Sequence, residues 1–175
     1  MLNLTPYHQR RIAQTAIGAS TIRGLGPRGT IGIIRTFLAD LELAKLGAMN
    51  GHGFRSWLDL TTEELRAQLP SGAQHWGTAR KCINIFARDA LYNHDLRISY
   101  DLQKVESWLE LPLDSHVAAA LKREAGSAHL PQWETIKGLT PEAHEAYQTF
   151  ANSVARKRGI ARVHLDLMFW RAAPD

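Results

Sequence analysis

Three short stretches of this sequence carry residues whose type and spacing could do chemistry. The first, Leu111-Pro112-Leu113-Asp114-Ser115-His116-Val117, sets an aspartate where a helix can begin. Taken alone, Asp114 reads as an N-cap. Yet the helix N–H groups and dipole also keep such a carboxylate ionised, as stabilising a developing cation or accepting a proton from water requires. The second is Leu69-Pro70-Ser71-Gly72-Ala73, followed by His75-Trp76-Gly77-Thr78-Ala79-Arg80-Lys81. A glycine-bearing loop that opens a helix offers backbone N–H groups to a phosphate. Arg80 and Lys81 stand at the end where the dipole disfavours cations, which an anionic partner explains as well as a solvated basic pair does. The third is Val163-His164-Leu165-Asp166-Leu167-Met168-Phe169-Trp170. Asp166 and Trp170 are i, i+4 and share a helical face, so a carboxylate and an indole could hydrogen-bond and stack a planar heterocycle. The simpler alternative is a core tryptophan beside a surface aspartate.

These groups must be positioned by helices, because apolar residues recur at helical spacing almost throughout. Helices are expected over Tyr7–Ile22, about Thr30–Leu46, Thr78–Asn93, a short run from an Asp101 cap to Leu109, one from Asp114, one from Thr140-Pro141-Glu142 to about Arg158, and Val163–Trp170. Breaks are expected at Arg23–Pro27, Gly47–Gly53, Pro112 and Gly159. Thr61-Thr62-Glu63-Glu64 has capping-box spacing. No stretch alternates with a strand period, so the chain reads as all-α.

Length and composition narrow the classes. At 175 residues, with 45% hydrophobic and 22% charged content, the chain suits one soluble domain over 1–175. A mean hydropathy of -0.26 and the lack of a long apolar run exclude a membrane-spanning helix. Met1–Arg11 has no apolar core like that of a secretory signal, and Cys82 is alone, so a cytoplasmic protein without disulfides is expected. The eight histidines show no ligand spacing, so neither metal nor other cofactor is expected, and His116 is read as structural. Lys and Arg outnumber Asp and Glu by 12 to 7 over residues 1–100, trail them by 4 to 8 over 101–155, and lead by 5 to 2 over 156–175. Basic flanks around an acidic middle point to an electropositive face for a polyanion.

In this order the three stretches resemble the helix-hairpin-helix superfamily of DNA glycosylases, and most nearly its archaeal 8-oxoguanine branch. The resemblance implies a compact all-α fold with a DNA cleft between two helical lobes. Leu113-Asp114-Ser115-His116-Val117 matches the context of the family's catalytic carboxylate, which gives Asp114 that role. Lys81, 33 positions upstream, matches the nucleophile of members that also cut the strand, with a gap similar to that of the archaeal branch. Asp166 and Trp170 hold the positions of that branch's base pocket. The chain departs from the pattern twice. The compact Leu-Pro-Gly-x-Gly hairpin is degenerate at Leu69-Pro70-Ser71-Gly72, and Thr21, in Ala19–Gly26, stands where the branch reads the base with a glutamine. Trp76 is a second stacking candidate. Phosphate contacts are expected from Arg23, Gly24, Gly26 and Arg28, from Gly72, Gly77 and Arg80, and from Arg156, Lys157 and Arg158.

The expected function is then a monomeric DNA N-glycosylase acting on double-stranded DNA that holds a damaged or modified base. The base is 8-oxoguanine-like or a bulky hypermodified phage base, so the protein would serve repair or defence. Lys81 would add AP-lyase activity. A non-catalytic helical DNA-binding module and a helical protein-interaction domain are the alternatives.

Overall fold

The chain is described by a computed structural model over residues 2–127 and 129–169. The all-α expectation is met: no strand occurs among the described residues, and none of their helices is long and apolar enough to cross a membrane. The helices are α1 (Thr5–Ala16), α2 (Thr30–Ala39), α3 (Gly51–Gln68), α4 (Trp76–Tyr92), α5 (His94–Ser99), α6 (Ser115–Ala125), α7 (Pro141–Lys157) and α8 (Leu165–Phe169), joined by short 3-10 turns.

The middle of the fold is α4. It packs against α1, α2, α3, α5 and α7, and its Ala79, Cys82, Ile83, Phe86, Ala90 and Leu91 are wholly enclosed. A helix surrounded in this way loses its polar face, so Arg80 and Asn84 are buried too and must find partners inside. Beside it α1 and α2 pack on each other, while α6 packs on α7 and α8. Burial also pushes the Cys82 thiol up to about 12, which leaves it an unreactive apolar filler.

Several helix ends differ from the sequence expectation, and each difference has a tertiary cause. Instead of running on to Leu46, α2 stops at Ala39, because the Gln9 amide of α1 donates to the carbonyls of Leu38, Ala39 and Leu41 at 3.3, 3.0 and 2.7 Å. This cross-helix cap satisfies carbonyls that a continuing helix would have used. Similarly, α1 ends at Ala16 rather than Ile22, since the Thr21 hydroxyl donates to the Ala16 carbonyl and accepts from Gly18 N–H. The capping box at Thr61 does not form. Asn50 caps α3 eleven residues earlier through Gly53 N–H at 2.8 Å, leaving Thr61 and Thr62 buried in the helix interior. Asp101 does not cap with its side chain but takes a left-handed conformation (φ 52°). Short α5 lies where no helix is expected. Asp114, Thr140 with Pro141, and Gly159 (φ 68°) behave as read: two caps and a helix stop.

Two glycines matter for position. A Cβ on Gly26 would stand 2.6 Å from Ala73 Cβ, so the loop after Arg23 packs directly on the loop that opens α4. A Cβ on Gly77 would lie 2.3 Å from the Ile136 carbonyl oxygen, so the first turn of α4 is pressed against the 136–138 turn. Gly77→Ala should therefore destabilise by about 1–3 kcal/mol. Gly32→Ala, on an exposed turn of α2 with open space around it, should be neutral or stabilise by up to about 1 kcal/mol. Denaturant titration of both variants checks the contrast.

Candidate active site

Asp114 is fixed from both sides. Its carboxylate accepts from Val117 N–H at 2.9 Å, opening α6. Upstream, Gln148 of α7 clamps Leu111 twice: its amide donates to the Leu111 carbonyl at 2.7 Å and its oxygen accepts from Leu111 N–H at 3.0 Å. A backbone residue held through both its donor and its acceptor cannot slide, so the half-buried Asp114 inherits a set direction.

Leu113, the residue before Asp114, lies against one side of α4. Lys81 is half-buried, and its Nζ donates to the Thr21 carbonyl at 3.1 Å. Lys81 and Leu113 meet at one closed packing gap, with Gly77, Arg80, Asn84 and His144 around it. Seven residues further along the same helical face, Arg88 binds the Asp166 carboxylate and also reaches Asp89 at 2.7 Å. Asp166 is 9% exposed. Burial pushes its carboxyl up, Arg88 pulls it down, and the nearby charge of Asp114 raises it again, with a net upward shift. Arg88 of α4 thus pairs with the carboxylate carried by α8, while Lys81 reaches the Thr21 carbonyl. Among the described residues neither Lys81 nor Asp114 has an ion-pair partner, whereas Asp166 is committed to Arg88.

Other expected site residues fall into distinct places. Thr21 is present, but its hydroxyl is tied into the turn after α1, and what it offers Lys81 is its carbonyl. Arg23, Gly24, Gly26, Arg28 and Gly72 are exposed on the two loops that pack together. Lys157 is exposed at the end of α7. Arg158 pairs with Glu124 at 2.5 Å and lies 5.9 Å from the Phe169 ring. Arg156 lines a separate cavity with Arg55 and Arg162. Trp170 lies outside the described residues.

Two expectations are overturned. Arg80 is not a phosphate contact: it is 2% exposed, and its guanidinium forms a bidentate pair with Glu110 at 2.8 and 2.9 Å, with Thr62 and Asp59 on its remaining nitrogen. Its place on a central helix, rather than at a surface loop, decides this. Gly77 is likewise buried against the 136–138 turn and presents nothing to a ligand. Trp76 packs its edge on His144 and its face under Arg80, in a cleft with Asp59 and Glu145, and so does not join Lys81 and Asp114.

Sequence reasoning missed Arg88 and Glu110. The i, i+7 relation of Arg88 to Lys81 was there to be read on a helical wheel. Nothing local marks Glu110 as buried. Beside Arg88, Tyr92 bonds His164 at 2.9 Å, and His164 reaches Glu106 at 2.8 Å, closing the far end of this face.

Comparison with protein-family models, with curated proteins and with solved structures finds no match for this chain.

Glu110 is the counter-ion of the interior. Burial pushes its carboxyl up, but His144 and Arg80 outweigh that and hold it at about 2, so it is ionised at neutral pH. His144, whose Nε2 is 3.2 Å from Glu110, is pushed down by burial to about 4 despite the attraction of Glu110, so it is neutral at pH 7. An unfolded imidazole takes its proton near 6.5, so between there and about 4 only the unfolded chain gains one from this group. Its contribution to stability is therefore complete above pH 6.5 and declines as pH falls to 4, by about 3 kcal/mol in total. His144→Gln, which keeps a donor toward Glu110, should flatten stability against pH in that window. Denaturant melts of both proteins from pH 7 to 4.5 measure it, and equal slopes would count against the assignment.

Proposed function

We propose that the chain is a DNA N-glycosylase that removes a damaged or modified base, with Asp114 and Lys81 as its catalytic pair. The observation that supports this reading is the half-buried cap carboxylate of Asp114, fixed at the start of α6 and with no ion-pair partner of its own among the described residues, next in the chain to Leu113, which lies against Lys81 of α4 across one packing gap. Cleavage of the C1′–N bond leaves positive charge on the sugar, and an ionised carboxylate locked on a helix N-terminus is suited to stabilise it. Asp114 also accepts the proton released when water, or the neutral Lys81 amine, attacks C1′. Attack by Lys81 gives a covalent Schiff base and, by elimination, strand cleavage.

The base has to leave the helix stack to bring its sugar within reach of Asp114, at a cost of a few kcal/mol. In this reading Asp166, already held by Arg88, meets the extruded ring as part of an ion pair, and Trp170 supplies the stacking surface. The adjoining loops, with exposed Arg23, Arg28 and backbone at Gly24, Gly26 and Gly72, take the phosphates, with Lys157 as a further contact. The substrate class is a duplex with an 8-oxoguanine-like or hypermodified base; the cleft between two lobes and the helix-hairpin-helix fold belong to the same proposal.

Duplexes carrying candidate bases, incubated with the protein and treated with hot alkali, test it. Asp114→Asn preserves the cap, because asparagine caps as well as aspartate, yet should slow base release by about a hundredfold or more. Lys81→Gln should abolish borohydride trapping of the DNA. Arg23→Ala and Arg28→Ala should each lower the salt slope of DNA affinity by about one. Steeply salt-dependent binding without base release from any duplex would instead favour a non-catalytic DNA-binding module.

A further inference from the structure

A second constellation lies away from Lys81, Asp114 and Asp166, none of which lines it. We propose that the cavity between the start of α3 and the end of α7, about 550 Å3 in volume, binds a nucleoside phosphate.

One wall is aromatic. Phe54 and Trp108 stand with ring centroids 6.2 Å apart, and the half-buried Trp108 has no acceptor for its indole N–H among the described residues. Gly51, the first residue of α3, keeps this indole close: a Cβ there would lie 3.3 Å from Trp108 Nε1. The rest of the lining is cationic. Arg162 is anchored by donating to the carbonyls of Trp108 at 2.9 Å and Leu109 at 3.0 Å, which leaves one terminal nitrogen uncommitted. Arg156, exposed in the last turn of α7, has no ion-pair partner among the described residues. Arg55 shares its charge with Glu145 at 2.7 Å.

Against these three guanidiniums the lining holds a single carboxylate, Glu110, and both its oxygens are already taken by Arg80. Arg55 is neutralised by Glu145 and, at 3.9 Å, by Asp59, but Arg156 and Arg162 have no ion-pair partner among the described residues, and their charge selects for an anion. Guanidinium groups match phosphate in geometry and charge. The aromatic wall adds a place for a planar ring, and the volume falls within the range of small-ligand sites. A bare phosphate would use the arginines and leave Trp108 and Phe54 idle. A nucleobase joined to a phosphate uses both, whether it arrives as a free nucleotide or as a 5′-terminal residue of a DNA strand. This inference goes beyond base excision and does not depend on it.

Calorimetric titration of the full chain tests it with dAMP, deoxyadenosine, inorganic phosphate and a tetrathymidylate with or without a 5′-phosphate. Saturable binding of dAMP or of the 5′-phosphorylated oligonucleotide is expected, at least about tenfold tighter than deoxyadenosine or phosphate alone. Arg156→Gln and Trp108→Leu should each weaken it by about tenfold; Arg156 is exposed, so its variant keeps the fold and the test intact. Tighter binding of dAMP identifies a free nucleotide as the ligand, and tighter binding of the oligonucleotide, lost without its phosphate, identifies a strand end. Absence of binding by either, affinity unchanged in both variants, or phosphate binding as tightly as dAMP, overturns the proposal.

Discussion

The bidentate pair between Arg80 and Glu110 is the constraint around which this molecule is arranged. Two unit charges removed from water carry a desolvation cost of several kcal/mol each, and only a complete set of partners offsets it. Here the set is complete: Asn84 donates to Glu110 at 2.9 Å, Thr62 accepts from Arg80 at 3.0 Å, and neutral His144 closes the remaining side. The participants come from α3, α4, α7 and the segment before Asp114. Removing one of them strands a buried charge, so the pair specifies how those four parts meet more than it adds net stability.

That specification reaches the candidate catalytic groups by simple geometry. Arg80 and Asn84 lie one turn apart on α4 and must point at Glu110, which sets the rotation of the helix about its axis. Lys81 and Arg88 are then carried round to an adjacent face, toward Thr21 and Asp166. On the other partner, Glu110 and the Gln148 clamp on Leu111 hold consecutive residues, so the chain enters Asp114 along a fixed path. An interior charge pair and a half-buried carboxylate four residues later are two consequences of one docking event. Glu110 also borders the cavity that Arg162 and Trp108 line.

Signals that act within one turn of helix were legible in the sequence. Asp114, Thr140 with Pro141, and Gly159 each satisfy or stop a helix with atoms from their own neighbourhood, and all three appear as read. The all-α class follows from the same short-range periodicity. What could not be read is any boundary set by a distant side chain. Gln9 ends α2 across 29 residues or more, and no local pattern announces it. Thr61 has the right spacing for a cap but lies past a stronger one, Asn50, whose helix continues through it because its apolar residues at Phe54, Leu58 and Leu65 are buried. The site residues divide in the same way. Asp114 was found because its job as a cap is local; Arg80 was misplaced because exposure is a property of the fold, and its partner lies 30 residues away.

The charge pattern illustrates the point most sharply. Basic flanks around an acidic middle suggested one electropositive face, yet much of that contrast is consumed inside the molecule. Glu110 takes Arg80, Glu106 takes Arg97, Glu145 takes Arg55 and Glu124 takes Arg158, so acids of the middle segment meet bases of both flanks. A segregated sequence thus becomes a folding code, in which oppositely charged stretches pair across the fold. Function has to be sought in the cations this pairing leaves over. Among them, Arg23 and Arg28 sit on the loop packed against the start of α4, Lys81 donates to the Thr21 carbonyl, and Arg156 and Arg162 line the cavity at Trp108. Net charge alone would have assigned them to one diffuse surface. Subtracting the internal pairs sets these five apart in three places, each beside a different chemical neighbour: a glycine-bearing loop, a backbone carbonyl, and an indole.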